Sequence, residues 1–140
     1  MADLKVVIDE VVALKEVQDY VAGKKILPSR RKALNGVIDL MAEAISYGLV
    51  VIGTDGSITQ TLWEPIKTVD KKIALETLVY PPRVAPEVLI QQFKDAKATT
   101  HSEKILAAVV AHTGEPKGML DKLESTDRDI MEAIGFFYLL

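Results

Sequence analysis

The sequence predicts an α+β fold: a helical pair, a small antiparallel hairpin or sheet over residues 49–80, and a C-terminal helical cluster. Three observations lead there. Apolar residues recur at helical spacing through the first 48 residues. The period then shortens to two, with an Asp55-Gly56 turn signal between the alternating runs. Beyond Pro81-Pro82 the helical period returns, punctuated by capping residues, Gly114 and Pro116.

The first helix is expected over residues 3–22. Leu4, Val7, Val11, Leu14 and Val21 form its stripe, Gln18 interrupts it, Asp3 suits its start and Gly23 its end. Val6-Val7-Ile8 also fits a strand, because β-branched side chains lose rotamer freedom in a helix. A second helix, capped by Ser29, is expected to run to Tyr47. Leu34, Val37, Ile38, Met41, Ala44 and Ile45 give it an unbroken apolar stripe, and Gly48 ends it.

Leu49 to Ile52 reads as a strand. Ser57 to Trp63 alternates, placing Ile58, Gln60 and Leu62 on one face, and Pro65 is expected to limit it. Lys72 to Tyr80 is the third strand, with Ile73, Leu75, Thr77 and Val79 sharing a face. Pro86 suits the first turn of a helix over 86–96 carrying Val88, Leu89 and Phe93. Thr100 and Glu103 have capping-box spacing and open a helix to Thr113. Pro116 starts a helical turn through Leu123, and Ser125-Thr126-Asp127 caps a last helix. The segments divide into a helical pair, 1–48, and a hairpin-plus-helices module, 49–140, expected to pack as one unit.

Composition limits the chemistry. With 140 residues, 49% of them hydrophobic, the chain is long enough for a core without metal or disulfide help. It has no cysteine, so no thiolate nucleophile or thiolate metal site is available. A net charge of −3 attracts neither nucleic acid nor an anionic membrane globally. The start Met1-Ala2-Asp3-Leu4-Lys5 lacks the pattern of a signal peptide, and no apolar run is long enough to span a bilayer. His101 and His112 lack the i, i+3 or i+4 spacing of a helical metal pair. Gly53-Thr54-Asp55-Gly56 lacks the Gly-Lys-Ser/Thr ending of a phosphate loop and reads as a turn. Asp121, Glu124, Asp127 and Asp129 suit a helix start through the helix dipole. A non-enzymatic protein without cofactor or metal is therefore expected, and function is sought on surfaces.

Three surfaces stand out. Lys24, Lys25, Arg30, Arg31 and Lys32 concentrate five of the 17 basic residues around one interhelical turn. A helix–turn–helix with a hairpin wing binds DNA phosphates with such a cluster, but the wing, Gly53 to Ser57, carries no Lys or Arg, which disfavours nucleic acid. The second-helix stripe, through Leu34, Ile38, Met41 and Ile45, is one candidate for partner contact. Phe136, Phe137, Tyr138 and Leu140 of the C-terminal run are the other; for that run burial in the protein's own core is the default reading and docking on another chain the alternative.

The order of motifs over residues 55–140 resembles the tail assembly chaperone family of Mu-like and related contractile-tailed phages. The hairpin carries Thr61-Leu62-Trp63-Glu64-Pro65-Ile66, matching a Leu-x-x-Pro strand end, and Lys72-Ile73 leads to Leu78-Val79-Tyr80-Pro81. A helix, Leu106 to Thr113, Gly114, then Leu120, Leu123 and Asp127 in a Leu-x-x-Leu-x-x-x-Asp segment, and finally Ile130, Ile134 and Phe137 follow in the family's order. Residues 1–48 lie outside the pattern. The resemblance implies a non-enzymatic protein in the cytoplasm of an infected bacterium. It would bind and shield a helical protein client such as the tape-measure protein, and a homo-oligomer is compatible with that role. A structural virion or baseplate component, and a small DNA-binding regulator using the basic 24–32 turn, stand as alternatives.

Overall fold

The computed structural model describes residues 4–139, so Asp3 and Leu140 lie outside the described residues. The protein is α+β. Helices accompany a three-stranded antiparallel sheet of order β1-β2-β3, with strands Val50–Ile52 (β1), Ile58–Lys67 (β2) and Ile73–Tyr80 (β3).

The first helix, α1, spans Glu10–Gly23, starting later than the stripe predicted. Its cap is Asp9, whose carboxylate accepts from Val11 N at 2.9 Å. Residues 4–9 are not helical. Val7 N and Ile8 N donate to Ser46 O at 2.8 and 3.2 Å, and Ser46 Oγ donates to Ile8 O at 2.8 Å. The β-branched run Val6-Val7-Ile8 thus lies extended along the end of the next long helix. The buried stripe of α1 is accordingly Ala13, Val17 and Val21, while Val7 and Val11 face solvent.

The expected helix 29–47 is interrupted. Pro28–Arg31 (α2) begins with proline at its first position and Leu27 as cap, not Ser29. A 3₁₀ turn over Lys32–Leu34 links it to Asn35–Ser46 (α3). Gly48 ends the segment at φ 76°, a backbone angle that glycine adopts without strain.

In the sheet, Val51 pairs with Thr59 and Thr59 with Val79. The 53–57 loop is held by Asp55 Oδ1, which accepts from Ser57 N at 3.0 Å and Ser57 Oγ at 2.6 Å, with Gly56 at φ 88°. These bonds hold the Asp55 carboxyl below its ordinary value. Ile58, Gln60 and Leu62 are buried, as their alternation predicts. Pro65 does not end β2. The strand continues to Lys67 through a register slip between Thr61↔Thr77 and Ile66↔Leu75. A second slip between Ile66 and Lys67 follows, and together they re-aim the alternation on β3. Leu75, Leu78 and Tyr80 are buried and Ile73 and Val79 exposed, which corrects the expected face.

Pro86–Ala96 (α4) occupies the expected residues but buries none of them fully. His101–Thr113 (α5) opens with the predicted capping box: Thr100 Oγ1 accepts from Glu103 N, and Glu103 Oε1 accepts from Thr100 N. Gly114 closes it at φ 75°. Lys117–Leu120 (α6) and Ser125–Tyr138 (α7) follow. Glu124, not Ser125, occupies the cap position of α7. Helix α1 packs on α3, α3 on α7, and α7 on α5 and β2. A single cluster of buried apolar side chains runs from Ala13 of α1 through Leu78 of β3 to Phe137 of α7.

Candidate partner-binding surface

The apolar stripe of α3 points inward. Leu34 and Met41 are 0% exposed and Ile45 is 1%, so these three belong to the core rather than to a contact surface. Phe137 is likewise 0% exposed, its ring meeting Tyr20 edge-on at 5.6 Å. Burial of Leu34, Met41 and Ile45 corrects the expectation that they offer a docking face, and burial of Phe137 agrees with the core reading of the C-terminal run rather than with docking. The helix is amphipathic because it covers its own protein. Ile38, Phe136 and Tyr138 are half-buried. Leu140 lies outside the described residues.

Tyr138 closes one end of the core. Its hydroxyl donates to Pro81 O at 3.0 Å, its ring stacks on Tyr80 at 6.2 Å, and the His112 ring lies 4.0 Å away. Lys24 Nζ sits 5.1 Å from the Tyr20 ring centroid and 5.0 Å from that of Tyr138. A cation over two aromatic faces is attracted by both ring quadrupoles. Burial lowers the Lys24 pKa, and desolvation pushes the Tyr20 phenol up to about 12 against the opposing Tyr138 hydroxyl.

The basic turn is therefore split. Lys24 is withdrawn onto the aromatic rings, and Arg31 Nε donates to Ile26 O at 3.0 Å. Lys25, Arg30, Lys32 and Arg31 itself remain exposed. The neighbouring cleft, about 950 Å³, brings the hairpin loop up to the turn. There Glu16, Asp19 and Asp55 face Lys24, Lys25 and Arg83, a mixed-charge wall unlike the single-sign surface that phosphates require.

A second staple was not visible as such in the sequence. Asp127 is 0% exposed, at the start of α7. Its Oδ1 accepts from Trp63 N at 2.8 Å and its Oδ2 from Glu64 N at 3.0 Å. The register slip of β2 spans these two residues, and the carboxylate supplies acceptors for their amides. Asp127 O accepts from Gln60 Nε2 at 2.9 Å, and Gln60 Oε1 accepts from Tyr80 Oη at 2.8 Å. The sequence signal was a proline inside an alternating strand, which marks a bulge that needs outside acceptors.

The two histidines serve packing. His112 Nδ1 lies 2.7 Å from Ala108 O, and His101 meets the Phe136 ring edge-on at 5.3 Å. Among the described residues no group of three or more acidic or histidine side chains is placed to hold a metal. No helix among them is long and apolar enough to cross a membrane.

The outer side of α3 is different in character. Two shallow depressions flank the helix. One, of about 320 Å³, has an apolar floor of Val37, Leu40, Ile105, Ala133 and Phe136, opens at Gly36, and is rimmed by Asp129 and Glu132. The other, of about 250 Å³, lies between α1 and α3, with Leu14 and Ala42 below Glu10, Asp39 and Glu43. Neither is lined by a lysine or arginine. This face retains Phe136 from the expected contact set and Val37 from the predicted stripe, and adds Leu40, which that stripe omits.

Comparison with protein-family profiles, curated proteins and solved structures finds no match to this chain.

Proposed function

We propose that this protein is a non-enzymatic phage tail assembly chaperone, or a close functional relative, that binds and shields a helical client such as the tape-measure protein. The observation that carries the reading is the meeting of two motifs on which the family resemblance rests. The Leu62-x-x-Pro65 strand end and the Leu120-x-x-Leu123-x-x-x-Asp127 segment lie about sixty residues apart in the chain, yet Trp63 and Glu64 donate to the Asp127 carboxylate. Leu62, Leu120 and Leu123 are buried in the common core. The motifs thus describe one folding unit, which supports treating them as one module rather than as chance matches.

A tape measure is a long helix whose apolar stripe aggregates if bare. A small protein with a half-apolar groove covers such a stripe by helix-in-groove docking. Co-expression with the tape-measure protein of the same genome, followed by affinity purification, is expected to yield a soluble complex. Recovery of the client only in the insoluble fraction, with none on the column, would overturn the proposal. Detection of the chain in washed mature particles would favour a virion component instead.

A further inference from the structure

We infer that the α3–α7 groove takes a basic amphipathic helix, its apolar stripe on Val37, Leu40 and Phe136 and its flanking cations against Asp129 and Glu132. This deepens the shielding reading above and rests on it for the identity of the natural client.

The geometry carries the argument in three steps. First, the groove floor is apolar and half-buried, with Val37, Leu40 and Phe136 each partly open to solvent. A helix presenting residues at i, i+3 and i+4 covers such a strip with one face. Second, the wall of the groove is low at one point. A Cβ built on Gly36 meets nothing within 4 Å, so the α3 backbone itself is open to close approach. Third, the charged side chains that line the groove, Asp129 and Glu132, are both acidic. The two depressions beside α3 are rimmed by Glu10, Asp39, Glu43, Asp129 and Glu132 and by no cation. Arg128 lies nearby and reaches Glu132 at 3.4 Å, but this exposed pair is weak and leaves the other four carboxylates unpaired by it. Such a surface repels an acidic helix and orients a basic one. By contrast, the mixed-charge cleft at Lys24 has no such preference.

The test uses the full chain and two synthetic helical peptides of about 18 residues, roughly five turns. Both carry the same leucine stripe; lysines flank it in one and glutamates in the other. Calorimetry is expected to show binding of the lysine peptide, weakening as salt rises, and at least about tenfold weaker binding of the glutamate peptide. Gly36→Leu fills the groove from a position with free space, so its melting temperature is expected to match or exceed that of the parent. Its affinity for the lysine peptide should fall by about tenfold or more, as when an anchor pocket is lost. Asp129→Lys with Glu132→Lys should act likewise, whereas Glu87→Lys with Asp95→Lys on α4 should not. Equal binding of both peptides, unchanged binding by a folded Gly36→Leu protein, or equal losses from the α4 reversals would each overturn the assignment. A client complex that forms and survives Gly36→Leu would sink the groove and leave shielding intact. Groove-dependent peptide binding without any client complex would sink shielding and leave the groove.

Discussion

At the scale of single residues, the polar groups that matter are those inside the core. Asp127 accepts from two amides, those of Trp63 and Glu64, within the slipped register of β2. Replacing it with alanine leaves both donors without their carboxylate acceptor. The expected loss is about 2–4 kcal/mol, given that bonds to a charged acceptor contribute about 1.5–3 kcal/mol each and do not simply add. Urea unfolding followed by Trp63, the sole tryptophan and adjacent to the bond, measures it directly. A midpoint equal to that of the parent would show that the staple is dispensable. His112 offers a second residue-scale prediction. Burial lowers its pKa from 6.5; the contact with Ala108 O opposes the shift and the Lys24 charge reinforces it. The unfolded chain therefore binds more protons than the folded one as pH falls through 6.5. Stability from this group is full above that value and declines on acidification until the folded ring also takes its proton. His112→Gln should flatten this part of the pH profile of the urea midpoint, and an unchanged slope would exclude His112 as its source.

At the scale of elements, local chemistry was legible at many points where the chain itself supplied the determinant. The Thr100–Glu103 capping box, Gly114 in the left-handed region, Pro86 in the first turn of α4 and the Ile58-Gln60-Leu62 face all appear where spacing places them. Two caps were misplaced locally, Leu27 standing for Ser29 and Glu124 for Ser125, and the larger failures were set by partners distant in sequence. The start of α1 depends on Ser46, which binds residues 7 and 8 in extended form. The face of β3 depends on slips in its pairing with β2. The α3 stripe was correctly seen as apolar, but apolarity alone does not say whether a stripe covers its own core or another chain. Two helical glycines turn this into a measurement. A Cβ on Gly135 of α7 would stand 2.8 Å from Val109 Cγ2 and 2.9 Å from Ile105 Cγ2, so α7 and α5 are in close contact there. Gly135→Ala should destabilise by about 1–2 kcal/mol, overpacking exceeding the gain in helix propensity. Gly36→Ala should stabilise by about 0.5–1 kcal/mol, because its Cβ meets nothing. Thermal melts of the two variants should shift in opposite directions; a Gly135→Ala melting temperature at or above that of the parent would show that the α5–α7 contact is not tight.

At the scale of the whole molecule, the C-terminal aromatic run joins regions that the sequence alone divides. Phe137 meets Tyr20 of α1, while Tyr138 binds Pro81 O after β3 and lies beneath Lys24 at the end of α1. The helical pair outside the family resemblance is thereby packed into the same core cluster as the strands and α7. The candidate site follows from this arrangement. With Phe137 committed to the interior, Phe136 is left half-buried at the α3–α7 groove, one position along the helix and on another face. Phe137→Ala should therefore cost about 3–5 kcal/mol, a large part of the roughly 5–15 kcal/mol that holds such a domain together. The loss should be global, with Trp63 fluorescence and far-ultraviolet circular dichroism falling at one urea midpoint, because the cavity opens where the two halves meet. Phe136→Ala, at the groove, should lower that midpoint far less and weaken the lysine-flanked peptide instead. Separate midpoints for the two probes in Phe137→Ala would instead mean that α1 and α3 unfold independently of the sheet. The groove between α3 and α7 would then be a seam between separable parts, not a face of one rigid body.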